Sequence, residues 1–217
     1  MQKTQLIAAI ENEVKSIFEK EGTGHDWYHI DRVRINALKI AKTENANLFL
    51  VELAALLHDI ADHKFHDNDL DLGPVKAKAL ILNHGGDEAL ADKIAQIVSE
   101  ISYKGSGVKT PVNSREAACV QDADRLDALG AIGIARAFAF GGSRNRQIYN
   151  PNKPPNLHES FMAYAQDEGT TINHFYEKLL LLKDRMQTTK GREIANERHA
   201  FMENFLSEFY AEWNGKR

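Results

Sequence analysis

The sequence is poor in cysteine, proline and glycine, and it has no long apolar run. It contains one cysteine among 217 residues, which excludes an internal disulfide framework and a cysteine-rich zinc module. That residue, Cys119, lies in an apolar stretch and is predicted to be an inert core residue. Five prolines and 14 glycines favour helices over a turn-rich β protein. The most apolar stretch, residues 48–57, is far shorter than the roughly 20 residues of a membrane span.

The charge balance is mildly acidic, with 31 acidic residues against 27 basic residues and a net charge of −4. Such a chain has no overall positive field to attract nucleic acid or an anionic membrane, so we expect neither as a partner. Residues 1–4 lead into an amphipathic segment and not into the apolar core of a signal peptide. Together with the scarcity of cysteine, these features predict a cytoplasmic protein.

Hydrophobic periodicity predicts helices almost throughout the chain, because apolar residues recur at spacings of three and four and alternating strand patterns are absent. Hydrophobic residues make up 43% of the chain and charged residues 27%, the balance of an ordinary globular protein. We predict a single all-α domain over residues 1–217 with about nine helices. Its core spans residues 20–135, and a C-terminal helical block packs on it over residues 171–213.

Two features lie outside the predicted core. Residues 141–157, rich in proline, glycine and basic side chains, are predicted to be a functional loop, because connections of this length are uncommon inside a compact domain. The C-terminal block carries aromatic residues at helical spacing, among them Phe205, Phe209 and Trp213. Packing in the core explains this stripe, and packing against a second copy in a homodimer explains it equally well.

Histidines are concentrated towards the N-terminus, where six of the nine fall within the first 84 residues. His58 and Asp59 directly follow the most apolar helix, where a buried carboxylate is costly unless it is paired or bound to a metal ion. His29 near the start of the second helix and Asp124 in a later acidic cluster complete a set of two imidazoles and two carboxylates. That set suits divalent Mn, Fe, Co, Ni or Zn and leaves octahedral positions open for water or substrate.

These four residues form the pattern H…HD…D, and each lies within a longer sequence block. The blocks are Gly24-His25-Asp26-Trp27, His29-Ile30-Asp31-Arg32-Val33, Ala55-Leu56-Leu57-His58-Asp59-Ile60 and Asp122-Ala123-Asp124-Arg125-Leu126-Asp127-Ala128-Leu129-Gly130-Ala131-Ile132-Gly133. Together they resemble a bacterial single-domain subfamily of the HD-domain metal-dependent phosphohydrolase superfamily. A C-terminal stretch, Lys178-Leu179-Leu180 … Met186-Gln187-Thr188 … Gly191-Arg192, is similar too, so the similarity spans about residues 20–213. The resemblance implies an all-α fold, a divalent metal ion held between helices, and hydrolysis of phosphoester or phosphoanhydride bonds.

The resemblance also implies roles for particular residues. The implied metal ligands are His29, His58, Asp59 and Asp124. A carboxylate four residues after the HD histidine orients the attacking water in related proteins, and Asp62 has that position here. The two-metal branch of the superfamily needs further histidines; His66 and His84 are candidates, but their surroundings do not match, so we predict one metal ion.

The implied substrate is a small phosphorylated molecule, with a nucleotide as the first expectation and nucleoside-triphosphate pyrophosphohydrolysis as one form of the reaction. Asp127 lies on the same helical face as Asp124, and it is predicted either to pair with Arg125 or to support the metal ligands from behind. A P-loop is absent, so contacts with phosphate must come from other basic residues. The candidates for these contacts are Lys64, Lys104 and Arg144.

Two other functions remain open from the sequence. A two-metal phosphodiesterase would use the same cluster, and the number of metal ions per chain distinguishes it from a one-metal hydrolase. A non-catalytic, ligand-sensing helical module would keep the helices and use the metal only for structure, or lose it. The complete ligand set and the acidic residue at position 62 argue against the non-catalytic module.

Overall fold

The structure, a computed structural model, describes residues 2–19, 26–61, 72–101, 108–157 and 169–217. Within these ranges the chain forms nine α-helices and no β-strand, which confirms the predicted all-α fold. The assignment of the whole chain to one domain stays a prediction. The helices are α1 (Lys3–Phe18), α2 (Trp27–Glu44), α3 (Leu48–Leu57), α4 (Leu72–Asn83), α5 (Glu88–Ser99), α6 (Arg115–Asp127), α7 (Gly130–Ser143), α8 (Thr171–Glu177) and α9 (Thr189–Trp213).

Helix α3 lies at the centre of the fold, because its sequence is apolar on nearly all sides. Seven of its ten residues are buried, and it contacts α1, α2, α5 and α6. Asn47 caps the N-terminus by accepting hydrogen bonds from two backbone amides of the first turn. The helix ends at Leu57, and the turn that follows begins with His58 and Asp59. The most apolar helix is therefore followed directly by these two polar residues, of which His58 is buried and Asp59 is partly exposed.

Helices α2 and α6 pack against each other, and both contact α3. Asp26 caps α2 by accepting a hydrogen bond of 2.9 Å from the backbone N–H of His29. Ser114 caps α6 in the same way, with a bond of 3.0 Å from the N–H of Ala117. Such caps satisfy amides that the first turn leaves without partners. They fix where each helix begins, and thereby the face on which His29 and Asp124 lie.

The turn between α6 and α7 is tight enough to require glycine. Gly130 has a φ of +71°, a conformation that L side chains rarely adopt. A Cβ atom on Gly133 would lie 2.2 Å from the carbonyl oxygen of Ala128. Because α7 starts immediately after this turn, Arg136 near its second turn reaches back to Asp127 at the end of α6.

The segment 141–157, predicted to be a loop, is docked on α8. Helix α7 includes the first three residues of the predicted loop and ends at Ser143. The N–H of Thr171 donates to the carbonyl of Gln147 at 2.9 Å. Further along the segment, the N–H of Asn156 donates to the buried carboxylate of Glu177. The segment is therefore a connection held in place by α8 at more than one point.

The C-terminal block is helical as predicted, but two short 3₁₀ turns interrupt it between α8 and α9. Phe205 and Phe209 of α9 pack against aromatic rings from α7, from α8 and from the segment between those helices. The aromatic stripe therefore packs within the chain, whereas the homodimer stays a prediction. Although α9 has 25 residues, neither it nor any other helix in the described ranges is apolar enough to cross a membrane.

A buried carboxylate on α6 holds the N-terminus of α9. Asp122 is fully buried and accepts a hydrogen bond of 2.8 Å from the N–H of Gln187. It also accepts bonds of 2.7 Å from both the N–H and the hydroxyl of Thr188. Burial raises the pKa of Asp122, and these hydrogen bonds oppose that change. Gly191 approaches so closely that a Cβ atom there would lie 2.4 Å from Asp122 Oδ2.

The single cysteine is a core residue, as the sequence predicts. Cys119 on α6 is fully buried. Burial raises the pKa of its thiol to about 12, with smaller contributions from neighbouring carboxylates. The reactive thiolate is therefore suppressed at neutral pH.

A pair of glycine substitutions tests the close approach of α9 to Asp122. Gly191→Ala should lower the free energy of unfolding by about 1–3 kcal/mol, because the new methyl group would overlap the fixed carboxylate. Gly142→Ala on α7 is the matched control, since a Cβ atom there meets nothing within 4 Å. The control should range from no change to a gain of about 1 kcal/mol, the usual effect of replacing glycine in a helix. Urea denaturation of both variants is the measurement, and equal stability of the two would contradict the close contact.

Candidate metal centre

Four side chains from three parts of the chain converge on one small region. His29 comes from α2, His58 and Asp59 from the turn after α3, and Asp124 from α6. His29 Nε2 lies 3.2 Å from both His58 Nε2 and Asp59 Oδ2, and 3.7 Å from Asp124 Oδ1. His58 Nε2 lies 3.7 Å from Asp59 Oδ2 and 3.8 Å from Asp124 Oδ1. The structure thus brings together all four residues predicted to be metal ligands.

In its neutral form, each imidazole directs an unprotonated nitrogen into this cluster. His58 Nδ1 lies 2.8 Å from the carbonyl oxygen of Ala55, which can only accept, so Nδ1 carries the proton. His29 Nδ1 lies 2.7 Å from Oδ2 of Asp127 and donates to that carboxylate. In the neutral rings each lone pair is therefore on Nε2. Two lone pairs that face each other at 3.2 Å repel unless a cation lies between them.

The cluster has the dimensions and the chemistry of a transition-metal site. Ligand bonds of about 2.0–2.2 Å to one ion place neighbouring donor atoms about 3.0–3.5 Å apart. His29, His58 and Asp59 offer three donor atoms that all lie within 4.8 Å of one another. Imidazole nitrogen combined with carboxylate oxygen suits Mn, Fe, Co, Ni or Zn better than Ca or Mg. The residues present therefore fit one divalent transition-metal ion.

The cluster is closed on its histidine side and open on its carboxylate side. The side chains of His29 and His58 are almost fully buried, whereas those of Asp59 and Asp124 are 17% and 28% exposed. An ion held here would have protein on one side and solvent on the other. A reacting molecule can approach from the carboxylate side.

Behind His29 lies the carboxylate of Asp127, which is 1% exposed. Besides His29 Nδ1, it binds the guanidinium of Arg32, whose Nε lies 2.7 Å from Oδ1 and whose Nη2 lies 3.0 Å from Oδ2. Arg136 Nη1 lies 3.0 Å from Oδ2. The contact between Asp127 and the histidine matches the predicted supporting role, in which a carboxylate fixes the orientation and tautomer of a histidine ligand.

The alternative pairing of Asp127 with Arg125 is wrong. Arg125 donates instead to the carbonyl of Arg185 and, at 2.6 Å, to the hydroxyl of Thr110. It points away because residues two positions apart on a helix face different directions. Arg125 therefore joins α6 to the C-terminal part of the chain and not to the candidate metal centre.

Burial and charge act in opposite directions on the two central groups. Burial alone would raise the pKa of Asp127, but hydrogen bonds from His29 and Arg32 and the charge of Arg136 hold it well below its usual range. Burial lowers the pKa of His29, as does Arg136, but Asp127 and Asp59 together raise it above the ordinary value. The surroundings of His29 therefore favour positive charge on its ring or beside it, whether from a proton or from a metal ion.

The other candidate residues do not join the four-donor cluster in the part of the chain that the structure describes. Arg144 lies beyond the end of α7, about 12 Å along the helix axis from Arg136, and its guanidinium lies over the ring of Phe140. His84, a candidate for a second metal, contacts Glu13 of α1 instead. The predicted residues that lie outside the described ranges are Asp62, Lys64, His66 and Lys104.

Two arginines beside the site were not predicted from the sequence. Arg32 lies three residues after His29, and this spacing places both on one face of α2, a signal that could have identified it. Arg136 gave no such signal, because its contact with Asp127 depends on the tight turn between α6 and α7.

Comparisons with known proteins identify the family of this chain. The HD domain family model matches residues 26–129. The protein YpgQ of Bacillus subtilis is 39% identical over 209 residues, which cover 95% of this chain and 93% of YpgQ. An HD-superfamily hydrolase of Bacillus thuringiensis, known from its crystal structure, is 40% identical over 98% of this chain and 99% of its own, with a TM-score of 0.75. The chain belongs to the HD-domain phosphohydrolase superfamily.

Two further crystal structures share the fold over nearly the whole chain. A protein of Lactobacillus plantarum superimposes with a TM-score of 0.87 and 35% identity, covering 99% of both chains. YpgQ was crystallised in complex with ADP, and that structure superimposes with a TM-score of 0.76 and 35% identity, covering 98% of this chain and 97% of YpgQ. The similarity therefore extends well beyond the residues that the family model matches.

Removal of one carboxylate tests the metal centre. Asp59→Ala should weaken the binding of Mn²⁺ or Co²⁺ by more than about 100-fold, because it deletes a donor of the cluster itself, whereas changes to residues that only support ligands cost about 10–100-fold. The matched control is Asp92→Ala on α5, whose exposed carboxylate pairs with Lys78. Metal content after dialysis and a calorimetric titration measure the effect. Full occupancy in Asp59→Ala would contradict the predicted ligand set.

Proposed function

We propose that this protein is a metal-dependent phosphohydrolase that acts on nucleotides. The observation that carries the proposal is the four-donor cluster, with two imidazoles on its closed side and two carboxylates on its open side. Membership of the HD-domain superfamily supports a hydrolytic reaction. The ADP complex of YpgQ supports a nucleotide as the ligand of this protein.

The cluster residues would hold the ion, and neighbouring groups fix the orientation of the two histidines. A divalent ion held by His29, His58, Asp59 and Asp124 would lower the pKa of a water molecule and polarise a phosphoryl oxygen. His29 and His58 present Nε2 in a fixed direction, because Asp127 and the carbonyl of Ala55 hold their opposite nitrogens. The carboxylates of the cluster offset the charge of the ion and border the side from which a phosphoryl group approaches.

Asp62 is the proposed residue that orients the attacking water and accepts its proton. It follows Asp59 by three residues and the HD histidine, His58, by four residues in the sequence. A positioned carboxylate of this kind is a common general base. Lys64 and Lys104 are the proposed phosphate contacts, because phosphoryl transfer needs positive charge around the oxygens. Arg144 is left out, since it lies at the far end of α7.

The proposed substrate class is a nucleoside triphosphate, cut at a phosphoanhydride bond. The metal-loaded protein, with Mn²⁺, Co²⁺ or Ni²⁺, should turn over members of a panel of nucleoside mono-, di- and triphosphates, with about one ion bound per chain. Release of pyrophosphate would identify cleavage next to the α-phosphate, and release of phosphate would identify cleavage of the terminal phosphate group. Asp59→Ala is the control for contaminating phosphatases. A protein that binds the metal but hydrolyses no member of the panel would support the non-catalytic module instead.

Asp62 and Asp59 are three residues apart in the sequence but should respond differently to substitution. Asp62→Ala should keep the metal ion and lower kcat by about 10²–10⁴-fold, the usual contribution of general acid–base assistance. Asp67→Ala, a carboxylate of the same segment, is the matched control and should retain activity. Metal content and turnover measured on the same preparations decide the outcome. Full activity in Asp62→Ala would transfer the role to another carboxylate of that segment, and loss of activity in Asp67→Ala would identify which one.

A further inference from the structure

Asp127 is not one of the four donors, but its carboxylate makes four polar contacts with side chains of α2 and α7. Its Oδ2 lies within 3.0 Å of nitrogen atoms of His29, Arg32 and Arg136, and its Oδ1 lies 2.7 Å from Arg32 Nε. Asp127 belongs to α6, His29 and Arg32 belong to α2, and Arg136 belongs to α7. One carboxylate therefore fixes parts of three helices relative to one another at the back of the metal centre.

We propose that Arg32 is a positioning residue of the metal centre, acting through Asp127 on the imidazole of His29. The proposal rests on the metal-dependent function proposed above. Arg32 does not touch the four-donor cluster. It acts because its guanidinium binds both oxygens of one carboxylate, and that carboxylate in turn holds His29 Nδ1.

The geometry of the guanidinium is what distinguishes Arg32 from a simple counter-charge. Two parallel N–H···O bonds fix the plane of a carboxylate as well as its distance, which a single contact does not. With that plane fixed, Oδ2 of Asp127 has one position from which to accept the proton of His29 Nδ1. The ring of His29 is then held against rotation. Its Nε2, on the opposite side of the ring, is aimed at His58 and Asp59, each 3.2 Å away.

Arg136 offers a matched comparison, because it brings the same charge to the same carboxylate in a different way. Its Nη1 contacts Oδ2 at 3.0 Å, whereas Arg32 spans Oδ1 and Oδ2. A lysine can replace a contact with one oxygen, because its ammonium is a compact charge on a flexible stem. A lysine cannot reproduce the bidentate fork. The same Arg→Lys change should therefore have unequal effects at the two positions.

The test is the affinity of the metal-free protein for Co²⁺ alone, followed by its visible absorption spectrum. Arg32→Lys should weaken Co²⁺ binding by about 10–100-fold and change the spectrum, because the ligand field depends on the direction of His29 Nε2. Arg136→Lys should remain within about threefold of the unsubstituted protein, with an unchanged spectrum. Thermal unfolding of the metal-free forms shows whether either variant has lost its fold.

A second measurement separates geometry from charge and does not depend on the behaviour of lysine. Millimolar guanidinium should restore Co²⁺ binding to Arg32→Ala by reoccupying both oxygens of Asp127, whereas methylammonium should not. Equal effects of the two Arg→Lys changes, or equal rescue by both cations, would overturn the positioning role of Arg32. Failure of the unsubstituted protein to bind Co²⁺ is a different result, since it would overturn the proposed function itself.

Discussion

The buried carboxylate of Asp127 is the point on which the geometry of the candidate metal centre depends. Burial of an ionised carboxylate is costly unless hydrogen-bonding cations surround it, and here the partners come from α2 and α7. All these groups must be in place together, since the loss of one would leave a charge poorly compensated in the interior. Through its hydrogen bond with His29 Nδ1, Asp127 fixes the orientation of one of the four donors. The geometry of the centre at His29 therefore depends on how α2, α6 and α7 pack against one another.

Helix α6 shows how one short segment serves several purposes. Asp122 receives the amides at the start of α9, Asp124 faces the cluster, and Asp127 supports His29. The three carboxylates lie within six residues and are chemically identical. The directions in which they point follow from the helical repeat of about 3.6 residues, which separates residues two apart and brings residues three apart close together.

Much of the fold and the four donors could be predicted from the sequence, because their signals are local or form a spaced pattern. Periodicity predicts the helices. Asp87 and Ser114, which cap α5 and α6, are of the residue types that commonly mark helix starts. The partners of Asp127 were not readable, since His29 and Asp127 are 98 residues apart and Arg136 reaches the carboxylate only through a tight turn. The docking of residues 147–156 on α8 likewise depends on tertiary contacts that no local pattern records.

The hydrogen bonds between Asp122 and the start of α9 affect the order in which the parts of the protein fold during synthesis. They join positions 65 and 66 residues apart, and the later partner comes long after the last metal donor in the chain. Because a nascent chain emerges from the ribosome N-terminus first, the four donors are exposed to solvent before Thr188 has been synthesised. Until then Asp122 lacks its amide donors, so α6 cannot be fully buried without leaving a carboxylate unsatisfied. The packing of α6 is therefore completed only after Thr188 has been synthesised.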